Sequence, residues 1–350
     1  MSDITILDEE KALVRVGAGC RWGQVAQILA PHDWIITSGN FGDVGVGGLT
    51  VAGGIGYFTK TYGLTINRLV SATVVCPDGK IYQVSEDNHS DLFWAIRGGM
   101  TQVGLVTEYV FKAQPMASKT NDASVGYLEI DYQATDLSDF LDKWSQLAKE
   151  APDYVASFLS ISQLPEGTYF VHADNVCSLS NEEIVEASFA PFYQLDPVVK
   201  EHKIITSYAN VIPFPKDVHD GSQPINVQNA LVDTWSKEIK YAVIETVNHP
   251  SVMALELRTI GGQMNKVEPH ATAFSNRHQE YFMAAWLMQD DSLEALRAVA
   301  TGCYGGYSSV LDDWVVQKAW DDEARQGLLD LAKQYDPHHV FNTGLQVPRT

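Results

Sequence analysis

The sequence predicts an α+β fold built from two packed regions. Three observations carry that expectation. A glycine-dense stretch, Gly39–Gly56, lies near the N-terminus and is followed by a hairpin pattern of period two. From about residue 118 strand-like and helix-like segments interleave, without repeats or low complexity. The 350 residues, 45% hydrophobic and 19% charged, are enough for a sizeable core and two domains.

Residues 12–16 have the pattern of a short strand. Over 21–30, Trp22, Val25, Ile28 and Leu29 recur at helical spacing, and Pro31 and His32 close that helix. Val70, Ala72 and Val74 alternate, and Pro77-Asp78-Gly79-Lys80 is turn chemistry, so Leu69–Val84 is a predicted hairpin. A short helix is expected over 91–97, capped near Ser90, and a strand over 103–112, with Pro115 ending the first region. Further strands are expected over 125–131, 155–162, 169–173 and 253–260. Helices are expected over 136–149, 181–191, 278–289, 291–300 and 321–334. The resulting regions are 1–117, 118–315 and a C-terminal segment, 316–350, that returns to the first.

The formal net charge of −20 argues against a nucleic-acid surface or an anionic membrane as partner. The first ten residues are acidic and lack the apolar core of a secretory signal. No apolar run reaches the roughly 18 residues of a membrane span. Cys20, Cys76, Cys177 and Cys303 are far apart and form no C-x-x-C pair, which points to reduced thiols in a cytoplasmic protein. Apolar surface near residues 1–20 is a candidate for self-association into a homo-oligomer.

Eight of the eighteen residues in Gly39–Gly56 are glycine. Glycine costs conformational entropy, so such a run needs a reason. Two are open: a row of main-chain N–H groups around an anion such as a phosphate, or a turn that lets backbones pack closely. Cations are scarce nearby, the nearest being Arg21, Lys60 and Arg68, so an anion would be held by backbone dipoles. A dinucleotide fingerprint fails because Thr50 and Thr59 stand where its third glycine belongs. A P-loop fails because Val74 precedes Gly79-Lys80 in place of the first glycine. Neither Gly-x-Ser-x-Gly nor His-Glu-x-x-His occurs, so hydrolase and zinc-peptidase chemistry has no motif. His338-His339 has no third ligand at metal spacing, and no metal is expected.

The order of motifs is nonetheless specific. Val44-Gly45-Val46-Gly47-Gly48-Leu49-Thr50 is followed by Gly53-Gly54-Ile55-Gly56 and Tyr62-Gly63-Leu64. Then come Pro77-Asp78-Gly79, Asp91-Leu92-Phe93-Trp94-Ala95-Ile96-Arg97-Gly98-Gly99 and Gly104-Leu105-Val106-Thr107. Gly261-Gly262, Thr272–Arg277, Tyr335–Phe341 and Val347-Pro348 follow in the second half. This series resembles the flavoproteins of the vanillyl-alcohol oxidase and p-cresol methylhydroxylase family, in the berberine-bridge-enzyme-like, hydroxynicotine-oxidase-like branch. The resemblance spans nearly the whole chain. It implies a PCMH-type FAD-binding domain over 1–117, present in part because the family's N-terminal lobe is missing. It implies a substrate domain over 118–315, an antiparallel sheet backed by helices.

The implied activity is hydride transfer from a small organic substrate to FAD, with dioxygen as the usual acceptor. The alternative is a flavin-free relative that binds a small molecule or catalyses a non-redox reaction. The implied cofactor positions are Gly39, Asn40, Gly42, Gly45, Val46, Gly47, Gly48, Gly53, Gly54, Gly56, Gly63, Leu64, Gly104 and Val106. Tyr304, in Gly302-Cys303-Tyr304-Gly305-Gly306-Tyr307, matches the tyrosine that faces flavin and substrate, the candidate catalytic acid or base. Tyr208 falls in a segment that lines the substrate cavity in relatives. Arg277 is expected to orient the substrate domain through a carboxylate, and Trp94 to be core. Phe41 occupies the position of the branch's flavin-linking cysteine, so bound FAD is expected to be non-covalent. Met100 and Thr101 replace two family glycines, Asn67 replaces an aspartate, and Gly344 and Gln346 stand where asparagines are common.

Overall fold

Alternating apolar residues organise a first, five-stranded sheet, and the computed structural model describes it within residues 1–116, 118, 120–213, 225–289 and 291–349. Residues 117 and 350, expected to close the first region and the C-terminal segment, lie outside the described residues. The strands of the first region are β1 (Ile4–Asp8), β2 (Leu13–Gly17), β3 (Trp34–Ile35), β4 (Leu69–Val75), β5 (Ile81–Ser85), β6 (Leu105–Lys112) and β7 (Gln114–Pro115). The sheet order is β1-β2-β6-β4-β5, every pair antiparallel, while β3 and β7 form a separate short pair. Val14, Val16, Val74, Tyr109 and Phe111 point inward and are fully buried. The helix Trp22–Leu29 covers them with Trp22, Val25 and Leu29, while Ile28, expected on the same face, is exposed.

The second sheet holds β8 (Ser124–Ala134), β9 (Val155–Gln163), β10 (Tyr169–Cys177), β11 (Val198–Ser207), β12 (Asn226–Val232), β13 (Val252–Thr259) and β14 (Tyr281–Leu287). Their order is β11-β8-β10-β9-β13-β14-β12, again antiparallel throughout. Helices Leu137–Glu150, Glu182–Phe189, Lys237–Val247 and Glu294–Val299 cover one face. Leu137–Glu150 starts where Asp136 accepts the Asp139 N–H at 3.1 Å, and it buries Phe140, Leu141 and Trp144. The other face meets the glycine-rich segment: Leu231, Phe282 and Ala284 pack with Ala52, Ile55, Leu64, Ile66, Phe274 and Tyr304.

One expectation is overturned here. Residues 278–289 are not a helix, because Tyr281–Leu287 is the strand between β13 and β12. The run Tyr-Phe-Met-Ala-Ala-Trp-Leu is apolar on both faces because both faces are covered. Tyr281, Met283, Ala285 and Leu287 face the helices, and Phe282 and Ala284 face the glycine-rich segment. A strand buried on both sides loses its alternation and looks like a buried helix. Strands β1, β11 and β12 and helices Val46–Ala52, Lys237–Val247 and Asp313–Ala319 were not anticipated.

The C-terminal segment packs on the first region. The Trp320 indole N–H donates to the Gly98 carbonyl at 2.9 Å. Tyr335 donates to Asp91 Oδ2 at 2.8 Å, and the Val347 N–H to Gln102 Oε1 at 2.8 Å. The four cysteines are buried and free. Among the described residues no helix is long and apolar enough to cross a membrane, and no cluster of metal-ligating side chains occurs.

Candidate functional site

The glycine-rich segment divides into two parts with different tasks. Gly45 precedes the helix Val46–Ala52 as its cap residue. The Val46 N–H donates to the Cys20 carbonyl at 2.9 Å and the Gly47 N–H to the Ala18 carbonyl at 3.0 Å. The Gly47 carbonyl accepts the Tyr109 hydroxyl at 3.0 Å. A Cβ at Gly48 would meet nothing within 4 Å, and one at Gly45 only the Arg21 guanidinium at 3.9 Å. Gly47 and Gly48 line a cavity of about 210 Å³ with Gly19, Thr101, Leu105 and Val106.

Further along, glycine serves close packing. Gly53 and Gly54 have φ of 124° and 84°. A Cβ on Gly54 would fall 2.0 Å from Thr65 Oγ1, and one on Gly53 would fall 2.8 Å from the Phe274 ring. A Cβ at Gly56 would overlap the Ser38 carbonyl, and one at Gly42 the Pro213 carbonyl. Gly63 abuts Asn67, and Gly104 abuts Val74. Gly39 receives the Tyr208 hydroxyl on its carbonyl at 3.3 Å, with half-buried Asn40 beside it. Leu64 is fully buried. The structure therefore gathers Gly47, Gly48 and Val106 around one cavity, with Gly45 at the adjoining cap and Gly47 also packed on the Ala18 carbonyl, and packs the other glycines against neighbouring side chains or backbone. Met100 keeps a left-handed backbone with φ 61°, a conformation natural to glycine.

Tyr304 ties this segment to the second sheet. Its hydroxyl accepts the Gly54 N–H at 3.2 Å, and its ring meets Phe274 and Phe282 edge-on. Asn229 clamps its backbone on both sides, accepting the Tyr304 N–H at 2.8 Å and donating to its carbonyl at 3.1 Å. Burial pushes the Tyr304 hydroxyl up to about 12, so it stays protonated at neutral pH. Tyr208 is likewise buried, against Phe58 at 4.5 Å between rings. Trp94 is half-buried, and its indole N–H reaches the His270 carbonyl at 2.9 Å.

Sequence reasoning missed the polar face of the second sheet. Its register sets Glu256 opposite Ser160, Ser160 opposite His172, and His172 opposite Asp131. The next row sets Arg258 opposite Phe158, and Phe158 opposite Asp174. Arg258 pairs with Glu256 at 2.5 Å and lies 5.1–5.2 Å from the ring centroids of Phe158, Phe282 and Tyr307. Burial opposes the Arg258 charge, but Glu256 and Tyr307 outweigh it and its pKa is raised. His172 sits 2.6 Å from Asp131 and 3.5 Å from Asp174. Hydrogen bonding to Asp174, helped by Asp131 against burial, raises His172 to about 9. Half-buried Tyr307 and Trp286 border the same face with rings 6.2 Å apart. Alternation along β9, β10 and β13 was the available signal. Only the register across four strands makes it a site.

A side chain at Gly48 would fill the open space beside the 210 Å³ cavity, and Val106 forms its apolar wall. That arrangement fits part of an FAD molecule. Residues 1–85 match the family model described as FAD binding domain. The chain is 23% identical over 368 residues to an FAD-linked oxidoreductase of Dictyostelium discoideum, covering 97% of this chain and 76% of that one. Its fold is similar to a chitooligosaccharide oxidase, with a TM-score of 0.82, 20% identity, and coverage of 100% and 81% of the two chains. It is equally similar to berberine bridge enzyme from Eschscholzia californica, with a TM-score of 0.81, 18% identity, and coverage of 100% and 79%. These comparisons support FAD-dependent oxidoreduction as the activity class, with an FAD-binding domain over residues 1–85 and the fold that the chain shares with chitooligosaccharide oxidase and berberine bridge enzyme.

Proposed function

We propose that this protein oxidises a small organic molecule with FAD held non-covalently beside Gly45, Gly47, Gly48 and Val106, and with dioxygen as terminal acceptor. When bound, FAD supplies the hydride acceptor. The observation that carries the reading is the contrast within one glycine run. Gly48 is open and borders a cavity, whereas Gly54 and Gly56 are pressed against protein. Phe41, an exposed side chain that cannot form a thioether, supports non-covalent binding.

The substrate lies against the polar face of the second sheet. Glu256 accepts hydrogen bonds there, and Tyr307 and Trp286 offer aromatic surface, a combination suited to a polar, hydroxylated or amine-bearing molecule. Tyr304 positions the Gly54 backbone. Tyr307, held up to about 12 by burial, is a protonated hydrogen-bond donor at neutral pH.

The test is titration of the purified protein with FAD, followed by visible flavin absorbance and calorimetry, for wild type and Gly48→Val. The wild type should bind FAD stoichiometrically. The variant should bind about tenfold or more weakly, with an unchanged unfolding midpoint, because its side chain meets only the cofactor's space. A wild type that takes up no FAD, or a Gly48→Val protein that binds it equally well, would sink the proposal.

A further inference from the structure

The two edges of the second sheet are treated differently by the chain. At the β12 edge, residues 302–309 lie alongside the strand. The Leu231 N–H donates to the Gly302 carbonyl at 2.8 Å, the Gly302 N–H returns to the Leu231 carbonyl at 3.1 Å, and the Ser309 N–H donates to the Val227 carbonyl at 2.9 Å. At the β11 edge nothing comparable occurs among the described residues. Val198–Ser207 pairs with β8 on one side only. Eight consecutive residues from Val198 are exposed, including Val199 at 61% and Ile204 at 40%. The strand is ten residues long and contains neither proline nor glycine. Such an edge is a template for another strand.

We infer that β11 is the contact between two copies of this chain, paired antiparallel to itself about His202. The charges choose both the partner and the register. Centred on His202, the pairing sets Glu201 opposite the second copy's Lys203, and by symmetry Lys203 opposite the second copy's Glu201. Val199 then faces Ile205, and Lys200 lays its aliphatic stem on Ile204. Antiparallel self-pairing sets residues of like orientation opposite each other, so the neighbouring registers centre on Glu201 or on Lys203. Centring on Glu201 sets the two Glu201 carboxylates opposite each other and Lys203 opposite Val199, and centring on Lys203 sets the two Lys203 ammonium groups opposite each other and Glu201 opposite Ile205. Only the His202 register makes every charged pair attractive and keeps the apolar residues together.

The neighbouring charges agree with it. Lys203 already contacts Glu186 at 2.6 Å, and Glu201 accepts the Tyr193 hydroxyl. The second copy extends this to an alternating row, Glu186–Lys203–Glu201–Tyr193, across the two-fold axis. Lys200 and Lys203 would deter an unrelated strand, but a second copy supplies the matching carboxylate. The interface lies at the far edge of the sheet from β12 and leaves Gly48 and Tyr307 clear.

Sedimentation equilibrium of the full chain tests this with Glu201→Lys, Lys203→Glu and an equimolar mixture of the two. The wild type should be a dimer. Each variant alone should dissociate about tenfold or more readily, because like charges then meet twice. The mixture should regain dimers, since one chain then carries two lysines and the other two glutamates. Recovery on mixing also shows that neither variant is misfolded. A monomeric wild type, single variants that dimerise as tightly as wild type, or a mixture that stays monomeric would each overturn the proposal.

Discussion

Asn67 Oδ1 accepts two hydrogen bonds at once, from the Leu64 N–H at 2.8 Å and from the Arg277 guanidinium at 3.3 Å. Arg277 is 2% exposed. Its other acceptors, the Phe274 carbonyl at 3.1 Å and Thr272 Oγ1 at 2.8 Å, are neutral. No carboxylate lies within ion-pair distance of it among the described residues, which corrects the expectation that it acts through one. Burial, with the Arg97 charge second, pushes Arg277 down to about 9. Asn67 thus holds a buried cation with an amide oxygen.

Asn67→Asp should stabilise the protein by about 1–3 kcal/mol, because both contacts already use an oxygen and the pair gains a compensating charge. The gain should fade in acid as the new carboxylate takes up a proton. Urea unfolding of both proteins across pH measures the difference directly. Equal stability at neutral pH would refute the claim.

Gly54 and Gly48 should respond in opposite ways to alanine. Gly54→Ala places a Cβ 2.0 Å from Thr65 Oγ1 at φ 84°, so it should cost about 3 kcal/mol or more. Gly48→Ala meets nothing and should leave the cofactor-free protein as stable as wild type. Thermal unfolding without added FAD compares them.

His172 should make a stability contribution with a definite pH window. Its folded pKa is raised from 6.5 to about 9, chiefly by Asp174. Its pairing therefore stabilises the fold fully below pH 6.5 and is lost as pH rises through about 9. His172→Gln should narrow the gap to wild type across that interval. An NMR titration of the His172 ring that reports an ordinary midpoint would contradict it.

Tyr304→Phe should strand the Gly54 N–H, a cost of about 1–3 kcal/mol for a buried donor. If Tyr304 positions the glycine loop, the variant should weaken FAD affinity more than it changes turnover at saturating FAD. Tyr307→Phe should instead lower turnover while FAD affinity holds. Steady-state kinetics at fixed FAD, alongside FAD titration, separates the two roles.

Much of this architecture was legible in local patterns. Trp22–Leu29, Leu137–Glu150 and Asp322–Tyr335 were visible through the spacing of their apolar residues, because an amphipathic helix shows its buried face in sequence. The β4–β5 hairpin was visible through its turn. Strand β14 was not, since burial on both faces erased its alternation. Strand β11 was missed for the opposite reason, being exposed on both faces with no buried stripe to find.

The sequence by itself determined the glycine run, its failure as a dinucleotide fingerprint or P-loop, and the motif order that points to FAD. Those are properties of residue type and spacing. Tertiary structure alone decided which glycines face open space and which make room for a close neighbour, since that depends on Thr65, Ser38 and Phe274 arriving from elsewhere in the chain. It also decided that Glu256, Ser160, His172 and Asp131 form one row, because cross-strand register, not sequence separation, sets which side chains meet.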